Sequence, residues 1–140
     1  MRSIVTRVSA VEAKALCDAG WDYLDVRTDE EFAMGHPKGA RNVPFLVSEA
    51  GELRANSSFV EDVTSIFPST TKLVVGCASG VRSARAVEQL RDAGFEALAD
   101  VRPGFAGVRD SFGRVIERGW LAEGLPIGMG LSDVDEAQCP

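Results

Sequence analysis

The chain has 140 residues, of which 45% are hydrophobic, and it carries a formal net charge of −6. This length and apolar content suit one domain with its own core, and the negative charge argues against a nucleic-acid surface or a polybasic membrane patch because it repels phosphates. No apolar run reaches the roughly 18 residues of a membrane helix, and the N-terminal stretch lacks the apolar core of a secretory signal, so we expect a cytoplasmic protein with no nucleic-acid or membrane partner.

Apolar runs and helix signals alternate along the first half of the chain. In chain order, the pattern predicts strands at residues 4–8, 23–26 and 40–45 and helices at 9–19, 28–35 and 57–67. Ser9 as N-cap and Gly20 just past the end delimit the first helix, and Pro68 stops the third. The stretch 45–57 predicts a loop.

The second half holds the strongest strand candidate. The predicted elements are a strand at 72–77, a helix at 81–94 and a final strand at 96–101. A spacing of three predicts one buried stripe on that helix, formed by Val81, Ala84, Val87 and Leu90. The glycine-rich stretch 102–128 predicts a helical turn or two and no strand.

Strands that alternate with helices predict an α/β fold class. Such βα units pack as a mostly parallel sheet with helices on both faces. Residues 1–128 are predicted to form a single domain, and residues 129–140 to form a mobile C-terminal tail because they have few anchors. In open sheets of this kind ligands bind beyond the carboxyl ends of the strands, so functional residues are expected where a strand meets the next helix.

The cysteine pattern points to reduced thiols. Cys17, Cys77 and Cys139 are far apart, form no CxxC pair and share the chain with a single histidine, His36. This fits neither a disulfide framework nor a zinc site, so we predict no metal and no cofactor. Cys17 lies within the first predicted helix, where we expect it to be a small residue of the core. Cys139 lies in the predicted tail.

Cys77 stands where a strand ends and a helix begins, in the segment CASGVRSA. An ordinary buried thiol is one interpretation, but small neighbours offer it little cover. The backbone N–H groups at the start of the helix have no partner within it, and we predict that they surround the sulfur. They belong to Ala78, Ser79, Gly80, Val81 and Arg82. With the helix dipole they would stabilise a thiolate and any anion bonded to it.

Two arginines follow the turn. Arg82 in the first turn of a helix is electrostatically unfavourable unless an anion binds there, so Arg82 is a candidate substrate ligand. Arg85, one turn further on, is equally well explained by a pair with Glu88 on a solvated face.

Three segments in this order resemble the single-domain rhodanese family of sulfurtransferases. They are LDVRTDEEFAMGHPKGARNVP, VVGCASGVRSARAVEQLRDAGF, and PGFAGV with GWLAEGLPI. The resemblance covers residues 5–127. It implies a five-stranded, mostly parallel sheet with helices on both faces, and it implies that Cys77 is the nucleophile that becomes a persulfide.

The resemblance also implies the reaction and its partners. Cys77 would take a sulfane sulfur from a small donor, either thiosulfate or 3-mercaptopyruvate. It would pass this sulfur to cyanide or to a thiol, and the thiol can belong to a small molecule or to a protein. Amide donors can stabilise the anionic sulfur at each stage, so the mechanism requires no general base. Arg82 would hold the sulfonate or carboxylate of the donor, with Arg85 as a weaker candidate.

Two alternatives share the predicted fold. Cysteine-arginine phosphatases have five residues between the two catalytic side chains, whereas four separate Cys77 from Arg82 here, which disfavours phosphate chemistry. The other is a non-catalytic or partner-dependent sulfur carrier of rhodanese fold. The presence of both Cys77 and Arg82 argues against an inactive module, while a dedicated carrier stays open.

Several other polar residues are predicted to have structural roles. Asp25, Arg27 and Glu31 are expected to cap a helix or link loops beside the site, and His36 to make a structural hydrogen bond. Phe105 matches an aromatic residue at the rim of the family's pocket. The chain departs from the family by an inserted stretch, 109–118, which is expected to reshape one pocket wall.

Overall fold

A computed structural model describes residues 4–130 of the protein. In chain order its elements are β1 (Ile4–Val8), α1 (Ala10–Asp18), β2 (Asp22–Asp25), α2 (Asp29–Met34), β3 (His36–Pro37), β4 (Arg41–Asn42), β5 (Leu46–Glu49), β6 (Glu52–Ala55), α3 (Phe59–Ile66), β7 (Lys72–Gly76), α4 (Val81–Asp92), β8 (Ala97–Val101), β9 (Val108–Arg109), β10 (Val115–Glu117) and β11 (Ile127–Gly128).

The central sheet has five strands in the order β1-β8-β7-β2-β4. All four strand pairings are parallel, so the predicted α/β class and parallel sheet are confirmed. β7 lies in the middle of the sheet, with β8 and β2 on its two sides. The carboxyl end of β7 therefore lies between the ends of two other strands, where side chains from three elements can converge.

Helices cover both faces of the sheet. Leu73 and Val75 of β7 pack in one core cluster with α3 and α4. Val74 points to the opposite face, where α1 and α2 pack. Alternate residues of one strand thus fill two cores, which is why Leu73, Val74 and Val75 are apolar in succession.

Capping residues determine where the first two helices begin. Ser9 forms a capping box with Glu12 at the start of α1, and Thr28 forms one with Glu31 at the start of α2. Each box satisfies two backbone N–H groups that the helix leaves without partners. The predicted start of the first helix at Ser9 is confirmed.

Several predicted elements differ from the observed ones. The stretch 45–57, predicted as a loop, contains the antiparallel hairpin β5–β6, whose turn places Ala50 at φ 54° and Gly51 at φ 83°. Positive φ at both central residues gives the turn a twist that matches antiparallel strands. The sequence signal is weak because β6 has only four residues, and its apolar residues Leu53 and Ala55 are exposed and enter no core. The strand predicted at 40–45 extends only over β4.

The stretch 102–128 also differs from the prediction. It holds three short strands and no helix: β9 and β10 form an antiparallel hairpin within the inserted stretch, and β11 pairs with β3. These strands are two or three residues long, too short to show a periodic pattern.

The buried face of α4 is rotated from the predicted stripe. Val81 is 66% exposed and Ala84 is half-buried, whereas the buried residues of α4 are Ser83, Ala86, Val87 and Leu90. The reason is that the first turn of α4 lies at the sheet edge, where Ser83 faces the sulfur of Cys77.

Within residues 4–130, no helix is long and apolar enough to span a membrane. The same residues hold no cluster of three side chains suited to bind a metal ion. The predicted tail lies outside the described residues from position 131 onward, as does Cys139.

Candidate active site

Cys77 lies directly after β7 at the carboxyl edge of the sheet. Cys77 is only 1% exposed. The chain then turns at Gly80, which has φ 94°, and α4 begins at Val81. The turn 77–82, called the Cys77 loop below, is therefore a tight connection between the central strand and the helix that packs on it.

Two backbone N–H groups point at the sulfur. The Sγ atom of Cys77 accepts hydrogen bonds from the N–H of Gly80 at 3.1 Å and of Ser83 at 3.3 Å. Sequence reasoning named Gly80 and missed Ser83, which lies one residue beyond the predicted set. Within the described residues, the N–H groups of the other predicted residues make no hydrogen bond to the sulfur.

A line of hydrogen bonds connects the sulfur to a buried carboxylate. The thiol of Cys77 lies 3.6 Å from the hydroxyl of Ser83, and that hydroxyl donates to Asp100 at the end of β8. Asp100 is 1% exposed, and its other oxygen accepts from Nε of Arg7 at 2.9 Å. Burial raises the pKa of Asp100, while the Ser83 hydroxyl and Arg7 oppose the rise.

The sequence did not predict this line of hydrogen bonds, because Ser83, Asp100 and Arg7 come from three separate elements, α4, β8 and β1. The only local signal was a charged residue, Asp100, within an apolar strand.

Backbone contacts fix the shape of the Cys77 loop. The carbonyl of Cys77 accepts from the N–H of Phe105 at 2.7 Å, and that of Ala78 accepts from Ala106 at 2.8 Å. Gly104, at φ 66°, lies so close that an added Cβ would be 2.4 Å from the Cys77 carbonyl oxygen. Such an approach admits only glycine. These backbone contacts hold the Cys77 loop against the segment that follows β8.

Arg82 is held by a carboxylate in this structure. Its guanidinium donates to both oxygens of Glu31, at 2.8 Å and 3.0 Å. The hydrogen bond from Arg82, together with the capping contacts of Thr28, lowers the pKa of Glu31 to about 2, and Glu31 in turn raises the pKa of Arg82. The pair ties the first turn of α4 to the first turn of α2.

The charged residues after β2 form a structural network. Arg27 is 5% exposed and pairs with Asp25 at 2.8 Å, donates to the carbonyl of Gly35, and lies over the ring of Phe105 at 4.4 Å. His36 is fully buried; its Nδ1 lies 2.7 Å from the carbonyl oxygen of Phe32 and its ring stacks on the ring of Phe32. These contacts agree with the structural roles predicted for Asp25, Arg27 and His36.

A cleft of about 520 Å³ opens beside the Cys77 loop. Ser79, Gly80 and Val81 form one side of it, and the β9–β10 hairpin forms another through Val108, Ile116 and Glu117. Ile116 and Glu117 of the inserted stretch thus form part of the wall of this cleft.

Three arginines also line this cleft: Arg7, Arg85 and Arg102. Arg102 pairs with Glu117 through two hydrogen bonds, at 2.9 Å and 2.7 Å. The pair with Glu88 that sequence reasoning considered for Arg85 is not formed, and Arg85 has no ion-pair partner within residues 4–130.

Comparison with known proteins gives a consistent result. The model of a family described as "Rhodanese-like domain" matches residues 9–111. A relative from Arabidopsis thaliana named "Thiosulfate sulfurtransferase 16, chloroplastic" is 38% identical over 123 residues, which cover 88% of this chain and 92% of that protein. "Thiosulfate sulfurtransferase 18" from the same organism is 37% identical over 77% of this chain and 82% of the relative.

Other relatives are longer than the matched region. "Rhodanese-like domain-containing protein 15, chloroplastic" from Arabidopsis thaliana is 40% identical over 73% of this chain, but the match spans only 56% of that relative.

Solved structures give the same result. The chain superposes with a TM-score of 0.75 and 26% identity on the "Crystal structure of Rv0390 from M. tuberculosis", over 91% of this chain and 99% of that one. A rhodanese-like domain protein from Staphylococcus aureus gives a TM-score of 0.55 at 28% identity, over 79% of this chain and 94% of that one.

Proposed function

The chain belongs to the rhodanese-like domain family, and we propose that it is a sulfurtransferase that carries a sulfane sulfur as a persulfide on Cys77. The observation that carries the proposal is the position of the Cys77 sulfur, at the carboxyl end of the central strand with N–H groups of Gly80 and Ser83 directed at it. N–H groups directed at one atom stabilise negative charge on it, which is what a thiolate nucleophile requires. Relatives named thiosulfate sulfurtransferase support the activity at the level of the family.

The first half-reaction forms the persulfide. The Cys77 thiolate attacks the outer sulfur of thiosulfate, the bond between the two sulfurs of thiosulfate breaks, and sulfite leaves with the electron pair. A new S–S bond then joins Cys77 to the transferred sulfur. We assign the N–H groups of Ala78, Ser79, Val81 and Arg82, which make no bond to Sγ here, to this outer sulfur.

The second half-reaction returns the enzyme to its starting state. An acceptor thiolate or cyanide attacks the outer sulfur, the S–S bond to Cys77 breaks, and the Cys77 thiolate leaves. No proton has to be removed from a carbon or oxygen atom in either half, so the cycle needs no metal or organic cofactor. Kinetics of the ping-pong type follow, because the two substrates never meet on the enzyme.

Arg82 remains the proposed ligand of the donor. Its pair with Glu31 means that a donor anion competes with this carboxylate for the guanidinium, or binds to the edge that Glu31 leaves open. Thiosulfate and 3-mercaptopyruvate both carry an anionic group that an arginine can hold.

A partner-dependent sulfur carrier is the second candidate. The observation that favours it is the burial of Cys77, whose 1% exposure restricts direct access of small donors. A protein donor that displaces part of the loop would reach the sulfur more readily. The cytoplasmic location stays a prediction, and the relatives whose names carry a compartment are chloroplastic or mitochondrial.

Intact-mass measurement tests the proposal. Reduced protein is incubated with thiosulfate or 3-mercaptopyruvate, freed of donor and then given cyanide. We expect a gain of about 32 Da, one sulfur atom, that disappears as thiocyanate forms. Cys77→Ser should show no gain, and Cys17→Ser, which removes another buried thiol, should behave as the wild type. No gain with either donor in a folded protein would contradict the enzyme proposal and favour the carrier.

A further inference from the structure

We propose that Asp100 is a positioning residue that accepts, through the hydroxyl of Ser83, the proton that Cys77 gives up when it becomes a thiolate. The inference rests on the proposed function, because it concerns how the nucleophile of that reaction is formed. It gives a role to a buried carboxylate that the reaction described above does not use. Asp100 lies near the carboxyl end of β8, the strand next to β7 in the sheet.

The buried thiol has no direct contact with solvent that could take its proton. Cys77 is 1% exposed, and burial disfavours the creation of a charge. Within residues 4–130, the groups hydrogen-bonded to its sulfur are the N–H groups of Gly80 and Ser83 and the hydroxyl of Ser83. An N–H group only donates, so it stabilises a thiolate but cannot take a proton from a thiol. A hydroxyl can accept one proton and donate its own.

The hydrogen bonds run in one direction, from the sulfur to the carboxylate. The thiol of Cys77 donates to the hydroxyl oxygen of Ser83 at 3.6 Å, and this hydroxyl donates to Oδ1 of Asp100 at 2.5 Å. Proton transfer along this line breaks the S–H bond and forms an O–H bond on Ser83, while Ser83 passes its original proton to Asp100. The electron pair of the S–H bond stays on the sulfur, so the three groups together keep one negative charge.

The surroundings of Asp100 suit a temporary proton acceptor. Nε of Arg7 on β1 contacts Oδ2 of Asp100 at 2.9 Å, and Arg102, after β8, is a second cation that acts on it. These cations keep the carboxylate charged while the thiol holds its proton. Burial nevertheless raises the pKa of Asp100, although the cations and the Ser83 hydroxyl oppose the rise. Asp100 therefore takes up a proton more readily than an exposed aspartate does.

The other ionisable groups around the site are not suited to take this proton. Burial raises the pKa of Tyr23 on β2 well above its ordinary value, so its phenol already holds a proton. Asp25, at the end of β2, is bound by Arg27 at 2.8 Å. The hydrogen bond from Arg82 of α4 lowers the pKa of Glu31 to about 2, which makes that carboxylate a poor proton acceptor. The carboxylate on β8 is the one that a hydroxyl connects to the sulfur.

The pH profile of alkylation tests the proposal without any sulfur donor. Reduced protein is treated with iodoacetamide, an uncharged reagent, from about pH 5 to about pH 8, and the modified cysteine is identified by peptide mass. Only the thiolate reacts, so the rate at Cys77 reports how much thiolate is present. In the wild type we expect this rate to change little over the window, because the proton moves within the site and is not exchanged with water.

Asp100→Asn is the main variant. The amide keeps an oxygen that accepts from Ser83, but it cannot take the proton. The alkylation rate at Cys77 should then rise about tenfold for each pH unit, and at the acid end it should be at least about tenfold below the wild-type rate. If Asp100 acts only as a nearby negative charge, or only supports the loop, the variant would react as fast as the wild type or faster at every pH, which would overturn the proposal.

Two further variants complete the test. Ser83→Ala removes the connecting hydroxyl and leaves the charge of Asp100, so it should show the same rise with pH, and it decides the question if Asp100→Asn does not fold. Asp22→Asn removes a carboxylate at the amino end of β2, away from the Cys77 loop, and should keep the wild-type profile.

The wild type alone also decides between the proposals. An alkylation rate that already rises about tenfold for each pH unit, in a protein that forms the persulfide normally, would overturn the role of Asp100 alone. A protein that never gains the sulfur would overturn the proposed function, while a flat profile in that protein would still support proton transfer from Cys77 to Asp100.

Discussion

The Cys77 loop and the β9–β10 hairpin line the same cleft, but they are built in opposite ways. The reactive end of the loop is buried: Cys77 is 1% exposed, and the carbonyls of Cys77 and Ala78 accept hydrogen bonds from the segment after β8. The hairpin is open, with Phe112 81% exposed and Ile116 65% exposed. An added Cβ would find nothing within 4 Å at Gly113 of the hairpin, whereas at Gly104, under the loop, it would meet backbone.

This difference separates two tasks. The loop has to hold N–H groups at fixed positions around one sulfur, and its backbone contacts with the segment after β8 provide that rigidity. The hairpin contributes a wall whose residues contact solvent, so its sequence can vary with little loss of stability. We therefore expect sulfur transfer to be more sensitive to substitutions in the loop than to substitutions in the hairpin.

The largest effect is expected when the backbone contact under the loop is disturbed. Gly104→Ala places a Cβ 2.4 Å from the Cys77 carbonyl oxygen, and backbone cannot move aside cheaply. We expect a loss of about 2–4 kcal/mol in the free energy of unfolding, measured by urea denaturation. Gly113→Ala in the hairpin, also at positive φ but with open space, should lose only about 1 kcal/mol. Equal losses would mean that the loop is no more tightly supported than the hairpin.

A smaller effect is expected at the hydrogen bonds beneath the sulfur. Ser83→Ala removes the hydroxyl donor of Asp100, a carboxylate that is 1% exposed. Loss of a hydrogen bond to a buried charge should lower the free energy of unfolding by about 1–3 kcal/mol. Ser111→Ala, at an exposed hairpin position, should change it by less than about 0.5 kcal/mol. If the two serine variants unfold at the same urea concentration, the buried line of hydrogen bonds does not stabilise the loop.

The smallest effect concerns two bidentate ion pairs, Arg82–Glu31 at the loop and Arg102–Glu117 at the hairpin. Glu31 is partly solvated, so we expect Glu31→Gln to lose only about 0.5–1 kcal/mol at neutral pH. The pKa of Glu31 is lowered from 4.5 to about 2 by folding. A lowered carboxylate pKa stabilises the fold above the unfolded value and ceases to do so as pH falls through the folded value.

The difference between wild type and Glu31→Gln should therefore be constant above pH 4.5 and vanish as pH falls toward 2. Urea unfolding over this range checks it. Glu117→Gln should show a smaller loss at neutral pH, because the side chain of its partner Arg102 is 42% exposed whereas that of Arg82 is 19% exposed. A difference for Glu31→Gln that does not change with pH would show that the ion pair with Arg82 is not its source.

The local part of the active site could be predicted from the sequence. An apolar strand, a cysteine, a glycine and a helix follow one another within a few residues, so covalent connection alone places Cys77 at the edge of the sheet with Gly80 beside it. The capping boxes are equally local, because each lies within four consecutive residues. The order of the four helices and of the five strands of the parallel sheet follows from these signals.

The partners of the site could not be predicted. Arg82 was predicted to be available for a donor, but Glu31 holds it, and the two are 51 positions apart in the chain. Asp100 and Arg7 meet across 93 positions, on two strands that pair only in the folded sheet. The hairpins were missed because their strands have only two to four residues, too few for a periodic pattern to be recognised.

The sequence by itself determined what depends on neighbours along the chain: the order of the helices and of the central-sheet strands, the capped helix starts, and the cysteine at the turn between the central strand and α4. Only the tertiary structure decided which charges are already paired and which face open space. The physical reason is that a charge is satisfied by whatever lies within a few ångströms of it, and for Arg7, Arg82 and Arg85 that neighbourhood is set by the packing of separate elements.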